Sequence, residues 1–105
     1  SFCVWPGSHR SFYPHFESGY KFEPKAGYEP EREAQNRRRC VDCHGAAGDV
    51  IFWHHRLGHL ASQNFTHQIR QAVLYDFRKK DMEQTQEMPP AQDMWRDWSD
   101  EMRQI

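Results

Sequence analysis

Two stretches of apolar side chains predict β-strands, one as a continuous run and the other by alternation with polar residues. Val50 to Trp53 is a run of β-branched and aromatic residues, which suit a pleated strand. Residues 69–77 (IRQAVLYDF) alternate with a period of two. With residues 61–66 as the connection, the pattern predicts a hairpin that brings Arg70 beside His59.

A shorter alternating stretch begins the chain and is followed by a segment without a period. Residues 1–5 read as a short strand that stops at Pro6-Gly7. Residues 11–39 carry aromatic rings among charges and prolines, which predicts a long ordered loop or insertion with one helical turn around residues 31–37. Its rings either line a substrate entrance or hold the loop in place: Phe12, Tyr13, Phe16, Tyr20, Phe22 and Tyr28.

The last part of the chain predicts a polar linker and an amphipathic helix. Residues 78–87 are polar and lead to Pro89-Pro90. The apolar residues that follow fall on one helical stripe, which favours packing on the protein's own core, with a lid or a dimer contact as the alternative. They are Met94, Trp95, Trp98, Met102 and Ile105. The chain therefore divides into a β-domain over residues 1–77 and a linker with a helix over residues 78–105.

The amino-acid composition predicts that this β-domain is part of a larger fold. The chain has 105 residues, enough for at most one domain. The large apolar residues Leu, Ile, Val and Phe together number only 17, below the one-fifth level at which a chain struggles to form a core. Disorder throughout is nevertheless not expected, because aromatic residues reach 14% and the net charge is only −1. We expect part of the surface to pack against residues outside this sequence.

Net charge and cysteine content limit the classes of binding partner and the cellular compartment that are expected for this protein. A net charge of −1 gives no general attraction to nucleic acid or to an anionic membrane, and no apolar run is long enough to span one. The three cysteines are too few and too unevenly placed for a disulfide scaffold. The expectation from these features is a cytoplasmic protein that binds neither nucleic acid nor membrane.

His59 and Arg70 are the pair with the clearest chemical use. A neutral imidazole at the end of a strand suits a divalent first-row metal, and a guanidinium nearby offers a planar fork for a carboxylate. Together they indicate an iron site with a bound organic acid. A purely structural role for either residue in a sheet is the alternative.

A second constellation, Cys40-Val41-Asp42-Cys43-His44, competes with the first. Its spacing is that of a c-type haem attachment site, for which methionines further along the chain could supply the axial ligand. Cys40, Cys43 and His44 could instead hold zinc with His54 or His55 as the fourth ligand. Reduced cysteines with no ligand role are the ordinary interpretation.

Two motifs carry a resemblance to a known family. The run GDVIFWHHRLGHLASQN (48–64), with Arg70 eleven positions after His59, is similar to the distal-histidine strand of the phytanoyl-CoA dioxygenase family of Fe(II)/2-oxoglutarate oxygenases. The upstream run VWPGSHR (4–10) resembles the signature strand and turn of the same family. The resemblance covers residues 1–77, with residues 11–39 matched only by position.

The resemblance implies a mainly β fold: the C-terminal portion of a double-stranded β-helix, a cupin-like jelly roll, with a long loop and a C-terminal helix. It further implies that His59 ligates Fe(II) and that Arg70 binds 2-oxoglutarate. Because alternation along a strand places His54 and His55 on opposite faces, His55 is a candidate for a pocket wall and His54 is expected to face away. The implied reaction is hydroxylation of a substrate C–H bond, coupled to conversion of 2-oxoglutarate to succinate. Substrate identity and oligomeric state stay open.

One expected part of the iron site is absent from these 105 residues. The family takes one histidine and one carboxylate from an HxD motif upstream of the VWPGSH strand, and the sequence contains no HxD. The only HxE, His15-Phe16-Glu17, follows that strand and is interpreted as coincidence. The expectation is therefore a C-terminal fragment that is inactive alone. A non-catalytic β-domain that has lost its iron site is a further alternative.

Overall fold

A small antiparallel sheet organises the computed structural model, which describes residues 1–104. Its strands are β1 (Phe2–Val4), β2 (Val41–Cys43) and β3 (His59–Ala61), in the order β2-β1-β3. Val4 in the central strand is opposite Val41 on one side and His59 on the other. The predicted N-terminal strand is confirmed, and it ends at Pro6-Gly7, where Gly7 adopts a left-handed φ of 80° that suits glycine.

Two helices and a short 3₁₀ turn follow β1, and all but the start of the first helix lies in residues 11–39, the segment predicted to be a loop. Helix α1 (Ser8–Phe12) leads into the 3₁₀ turn (Tyr13–His15), and α2 spans Tyr28–Asn36. Acidic Glu29 and Glu31 lie in the first turn of α2, where they complement the helix dipole. Pro30 is tolerated there because the first N–H groups have no partner within the helix. The segment is thus more helical than the single predicted turn.

The buried apolar core of the described residues is small and lies beside these helices. Its members are Cys3 on the central strand, Phe12 at the end of α1, and Phe16. The Phe16 ring lies 5.2 Å from that of Tyr28 and 5.5 Å from that of Phe22, so aromatic contacts join α2 to the turn before it. Part of the loop's aromatic set therefore packs together as a core.

The predicted hairpin is not formed. Residues 50–53 and 69–77 have no regular structure, and the side chains of Ile69 and Val73 are 88% and 95% exposed. A strand-like sequence forms a strand only where a neighbouring strand shares backbone hydrogen bonds with it. Within residues 1–104, neither of these two stretches has such a neighbour. β3 pairs instead with β1, far away in the sequence.

The predicted C-terminal helix is shortened to α4 (Asp100–Arg103), and a second short helix, α3 (Met82–Thr85), lies in the segment that was predicted to be a polar linker. Ser99 adopts an extended conformation (φ −65°, ψ 158°) and so interrupts the predicted stripe. The Asp93 carboxylate accepts the backbone N–H of Trp95, an arrangement that favours a turn. Ile105, the last residue of the predicted stripe, lies outside the described residues.

The three strands are compatible with a mainly β fold. They are short, three residues each, and all pairings are antiparallel. Across residues 1–104, no helix combines the length and apolar character needed to cross a membrane.

Candidate functional site

The two sequence motifs lie side by side and are joined by hydrogen bonds. Trp5 donates its backbone N–H to the carbonyl of Gly58 at 2.9 Å. Ser8 is completely buried (0% exposed), and its hydroxyl donates to the carbonyl of Trp5 at 2.7 Å and accepts the N–H of Gly58 at 2.8 Å. A serine hydroxyl can do both at once. Ser8 therefore holds the turn after β1 against the residue that precedes His59.

Close packing explains the glycine at position 58. A Cβ built there would lie 3.1 Å from the Ser8 hydroxyl and 3.3 Å from the Phe12 ring. Both distances are tighter than ordinary contact, so a larger residue would push the two motifs apart. Gly58 thus allows the backbone on which His59 sits to approach α1.

His59 is the first residue of β3, and one of its ring nitrogens is engaged. Its Nδ1 lies 2.7 Å from the carbonyl oxygen of Leu57. Because a carbonyl can only accept, Nδ1 carries the proton in this contact, and in this tautomer the lone pair lies on Nε2. A histidine whose other N–H is held by a backbone carbonyl is the usual arrangement of a metal ligand. The rings of Phe2 and Trp53 flank His59 at 5.5 Å and 5.7 Å.

His59 stands between two adjacent cavities of about 210 Å³ and about 230 Å³. Both are lined by His59, Gly58, Phe12 and Tyr28. The first cavity also has Phe16, Phe22, His55, Arg56 and Leu57 in its wall. The second is completed by Trp5, Arg32, Gln35 and Asn36. The segment between the motifs therefore builds the walls around His59, and four of its rings line the first cavity.

Arg56 is the residue of this site that sequence reasoning missed. It is only 8% exposed, and its Nη2 donates to the carbonyls of Ser18 at 3.0 Å and Lys21 at 2.7 Å. Its guanidinium lies 3.6 Å from the centre of the Phe16 ring, a cation–π contact. An arginine between a histidine pair and a Leu-Gly turn carries no periodic or spacing signal, so only the tertiary structure reveals its burial.

Arg70 lies apart from these walls. It is exposed, in the irregular stretch 62–79, and it lines neither cavity. Because the hairpin is absent, the geometry that was expected to bring Arg70 beside His59 is absent as well. Its role as a carboxylate ligand stays a prediction.

A comparison with known families decides what these motifs belong to. The family described as phytanoyl-CoA dioxygenase (PhyH) matches residues 1–72, which include both motifs and Arg70. The chain belongs to the phytanoyl-CoA dioxygenase family. No curated protein and no solved structure matches it. The family resemblance expected from the sequence is thus confirmed, and α1 and α2 fall within the matched range of the family.

A histidine cluster lies next to the family's second motif. The rings of His54 and His55 stack at 4.4 Å, rather than on opposite faces of a strand as predicted, because no strand forms there. His55 lines the first cavity, as expected, while His54 contacts His9 at 5.7 Å and Trp95 at 5.3 Å. Burial, helped by the neighbouring His55, lowers the pKa of His54 to about 4. The His54 imidazole is therefore neutral at pH 7.

The competing cysteine constellation does not assemble. Val41–Cys43 is strand β2, and in an extended chain side chains three positions apart point to opposite faces, so Cys40 and Cys43 diverge. Both thiols are free, and Asp42 instead accepts from the Cys3 thiol at 2.8 Å. Over residues 1–104, no group of three or more His, Cys, Asp or Glu side chains is placed to hold a metal. Neither His15 nor Glu17 lines the cavities beside His59.

Proposed function

We propose that the chain is the part of an Fe(II)- and 2-oxoglutarate-dependent dioxygenase that carries His59 and Arg70. In this proposal His59 ligates iron through Nε2, Arg70 binds the distal carboxylate of 2-oxoglutarate, and the other two ligands come from an HxD motif outside these residues. The observation that carries the proposal is the contact of His59 Nδ1 with the Leu57 carbonyl at 2.7 Å, which leaves Nε2 available.

The residues present fit this metal as one ligand of three. Iron sites of this class use two histidines and one carboxylate, and within residues 1–104 no group of three or more His, Cys, Asp or Glu side chains is placed to hold a metal. Iron, when bound, supplies oxygen activation for hydroxylation of a C–H bond. In the proposal, the side chains of this chain bind iron through His59 and 2-oxoglutarate through Arg70, and their neighbours hold them in position.

Each of these side chains has a definite task in the proposal. The Leu57 carbonyl holds the His59 ring in one tautomer and one orientation. The buried Ser8 hydroxyl fixes the backbone next to it. Arg70 offers a bidentate fork, and the rings of Phe12 and Tyr28 form apolar walls beside His59.

We also propose that the three-stranded sheet is part of a double-stranded β-helix and that the protein is a cytoplasmic enzyme for a small molecule. The sequence holds few aliphatic residues and leaves apolar side chains such as Phe65 and Val73 exposed. Such a surface is expected where further parts of a domain pack.

The test is turnover by the protein made from the complete reading frame. With Fe(II), 2-oxoglutarate and oxygen, the wild type should release succinate, and His59→Ala should lose this activity. His67→Ala is the matched control, because His67 is an exposed histidine outside both cavities. Normal succinate release by His59→Ala would overturn the assignment.

The 105-residue chain alone gives a second readout. With one ligand of three it should bind Fe(II) negligibly and release no succinate. Tight stoichiometric Fe(II) binding by this chain would contradict the proposed ligand set. A complete reading frame without any HxD or HxE upstream of Val4 would instead identify a non-catalytic member of the family.

A further inference from the structure

The buried guanidinium of Arg56 lacks an acidic partner among residues 1–104. Its side chain makes no ion pair there, and its hydrogen bonds go to two backbone carbonyls through Nη2 alone. Burial lowers the pKa of Arg56, while the hydroxyls of Tyr13 and Tyr28 oppose the lowering. An arginine nevertheless stays charged at neutral pH, so a full positive charge is held in the interior.

A buried charge of this kind is normally paired with an opposite charge. The carbonyls of Ser18 and Lys21 and the face of Phe16 satisfy one side of the guanidinium. Nε and Nη1 make no hydrogen bond within residues 1–104. Arg56 lines the first cavity, so these donors are the ones left for a molecule that enters it.

The cavity has the chemistry of a small binding site. One cation, Arg56, is set among the rings of Phe12, Phe22 and Tyr28, and His59 is at the same wall. A few convergent polar groups in an aromatic wall are typical of ligand sites. Its volume of about 210 Å³ is smaller than the ~300–1,000 Å³ of pockets that enclose drug-sized ligands, which favours a small molecule.

We propose that this cavity binds a small organic acid, with its carboxylate on Arg56 and its apolar body against Phe12, Phe22 and Tyr28. The planar fork of a guanidinium matches a carboxylate, and the rings suit a hydrocarbon body. The acid is the substrate class of the oxygenase, a statement that rests on the proposed function. The carboxylate site itself does not depend on iron or on Arg70.

The site is tested on the full 105-residue chain with hexanoate and its uncharged analogue hexanamide. Nuclear magnetic resonance titrations follow the Nε–H of Arg56 and the amide of Gly58. Hexanoate should shift both signals and bind at least tenfold more tightly than hexanamide, because only the acid pairs with the guanidinium. Equal affinities for the two compounds, or an unmoved Arg56 signal, would overturn the proposal.

Two variants and one competitor locate the site. Arg56→Gln should remove the preference for hexanoate, whereas Arg39→Gln, an exposed arginine outside the cavities, should keep it. Phe22→Trp should weaken hexanoate binding at least fivefold, because the larger ring fills the cavity. Since Phe22 is largely exposed, this variant should fold even where Arg56→Gln does not, and it then tests the site. Unchanged affinity in Phe22→Trp contradicts the proposed location. Inorganic phosphate that displaces hexanoate with equal affinity would identify a general anion site and refute the carboxylate assignment.

A separate experiment distinguishes the proposed substrate class from the proposed function. In the protein from the complete reading frame, a carboxylic acid should stimulate succinate release more than its amide does, and Arg56→Gln should remove the difference. If hexanoate binds at Arg56 but no protein releases succinate, the proposed function fails and the carboxylate site stands. If succinate release depends on His59 but not on the acid, the substrate class is wrong.

Discussion

Replacing Ser8 with alanine should uncouple the two family motifs. The change removes the hydroxyl that donates to Trp5 and accepts from Gly58, and it leaves the Gly58 N–H without its acceptor. A hydrogen bond contributes about 0.5–1.5 kcal/mol net, and a buried group left unpaired costs about 1–3 kcal/mol. We expect Ser8→Ala to destabilise the junction by about 2–3 kcal/mol.

Two measurements check this magnitude. Urea denaturation should give a lower free energy of unfolding, and amide hydrogen exchange at Gly58 should accelerate about 30- to 150-fold, the equivalent of 2–3 kcal/mol at 1.36 kcal/mol per tenfold change. Ser11→Ala is the matched control, because Ser11 lies in the same helix and its hydroxyl makes no hydrogen bond within residues 1–104. If Ser8→Ala changes both quantities no more than Ser11→Ala does, the hydroxyl does not join the motifs.

The remaining predictions concern the histidine cluster and Arg70. The pKa of His54 is about 4 in the folded protein and near its ordinary value of 6.5 in the unfolded chain. Between these two pH values the unfolded state binds more protons than the folded state. The free energy of unfolding should therefore fall as the pH drops from 6.5 towards 4. The full shift corresponds to about 3 kcal/mol, and partial exposure reduces the expected loss to about 1–2 kcal/mol. Urea titrations at pH 7, 5.5 and 4 measure it, and His54→Phe should flatten the profile; an equally steep profile in His54→Phe would exclude this cause. Arg70→Gln removes a charge-assisted contact of about 1.5–3 kcal/mol and should raise the apparent KM for 2-oxoglutarate about 10- to 150-fold in succinate assays, and an unchanged KM would remove Arg70 from the site.

Local signals in the sequence were sufficient for the first strand and its turn, because β-branched and aromatic residues followed by Pro6-Gly7 act over a few positions. They were insufficient for residues 50–53 and 69–77. The same pattern is present there, yet a strand needs a partner, and pairing is a property of the whole fold. The helix α2 was underestimated because Pro30 was read as a loop signal, although proline is accommodated in a first turn.

For the candidate site, the motif position of His59 predicts a metal ligand, and this role stays a prediction. The structure adds the tautomer of His59 through the Leu57 carbonyl. The burial of Arg56 depends on loop residues 18–21 that are distant in the sequence, and no periodicity reports such a contact. The hydroxyl of Ser8 joins the motifs for the same reason: its partners are defined only once the chain has folded.

The iron content of the protein from the complete reading frame is the decisive measurement for His59. We expect one Fe(II) per chain in the wild type and in His67→Ala, and loss of that iron in His59→Ala, because His59 Nε2 is proposed as a ligand. We also expect an HxD or HxE motif upstream of Val4 that supplies the other two donors. Iron retained at one per chain in His59→Ala would contradict the assignment of His59.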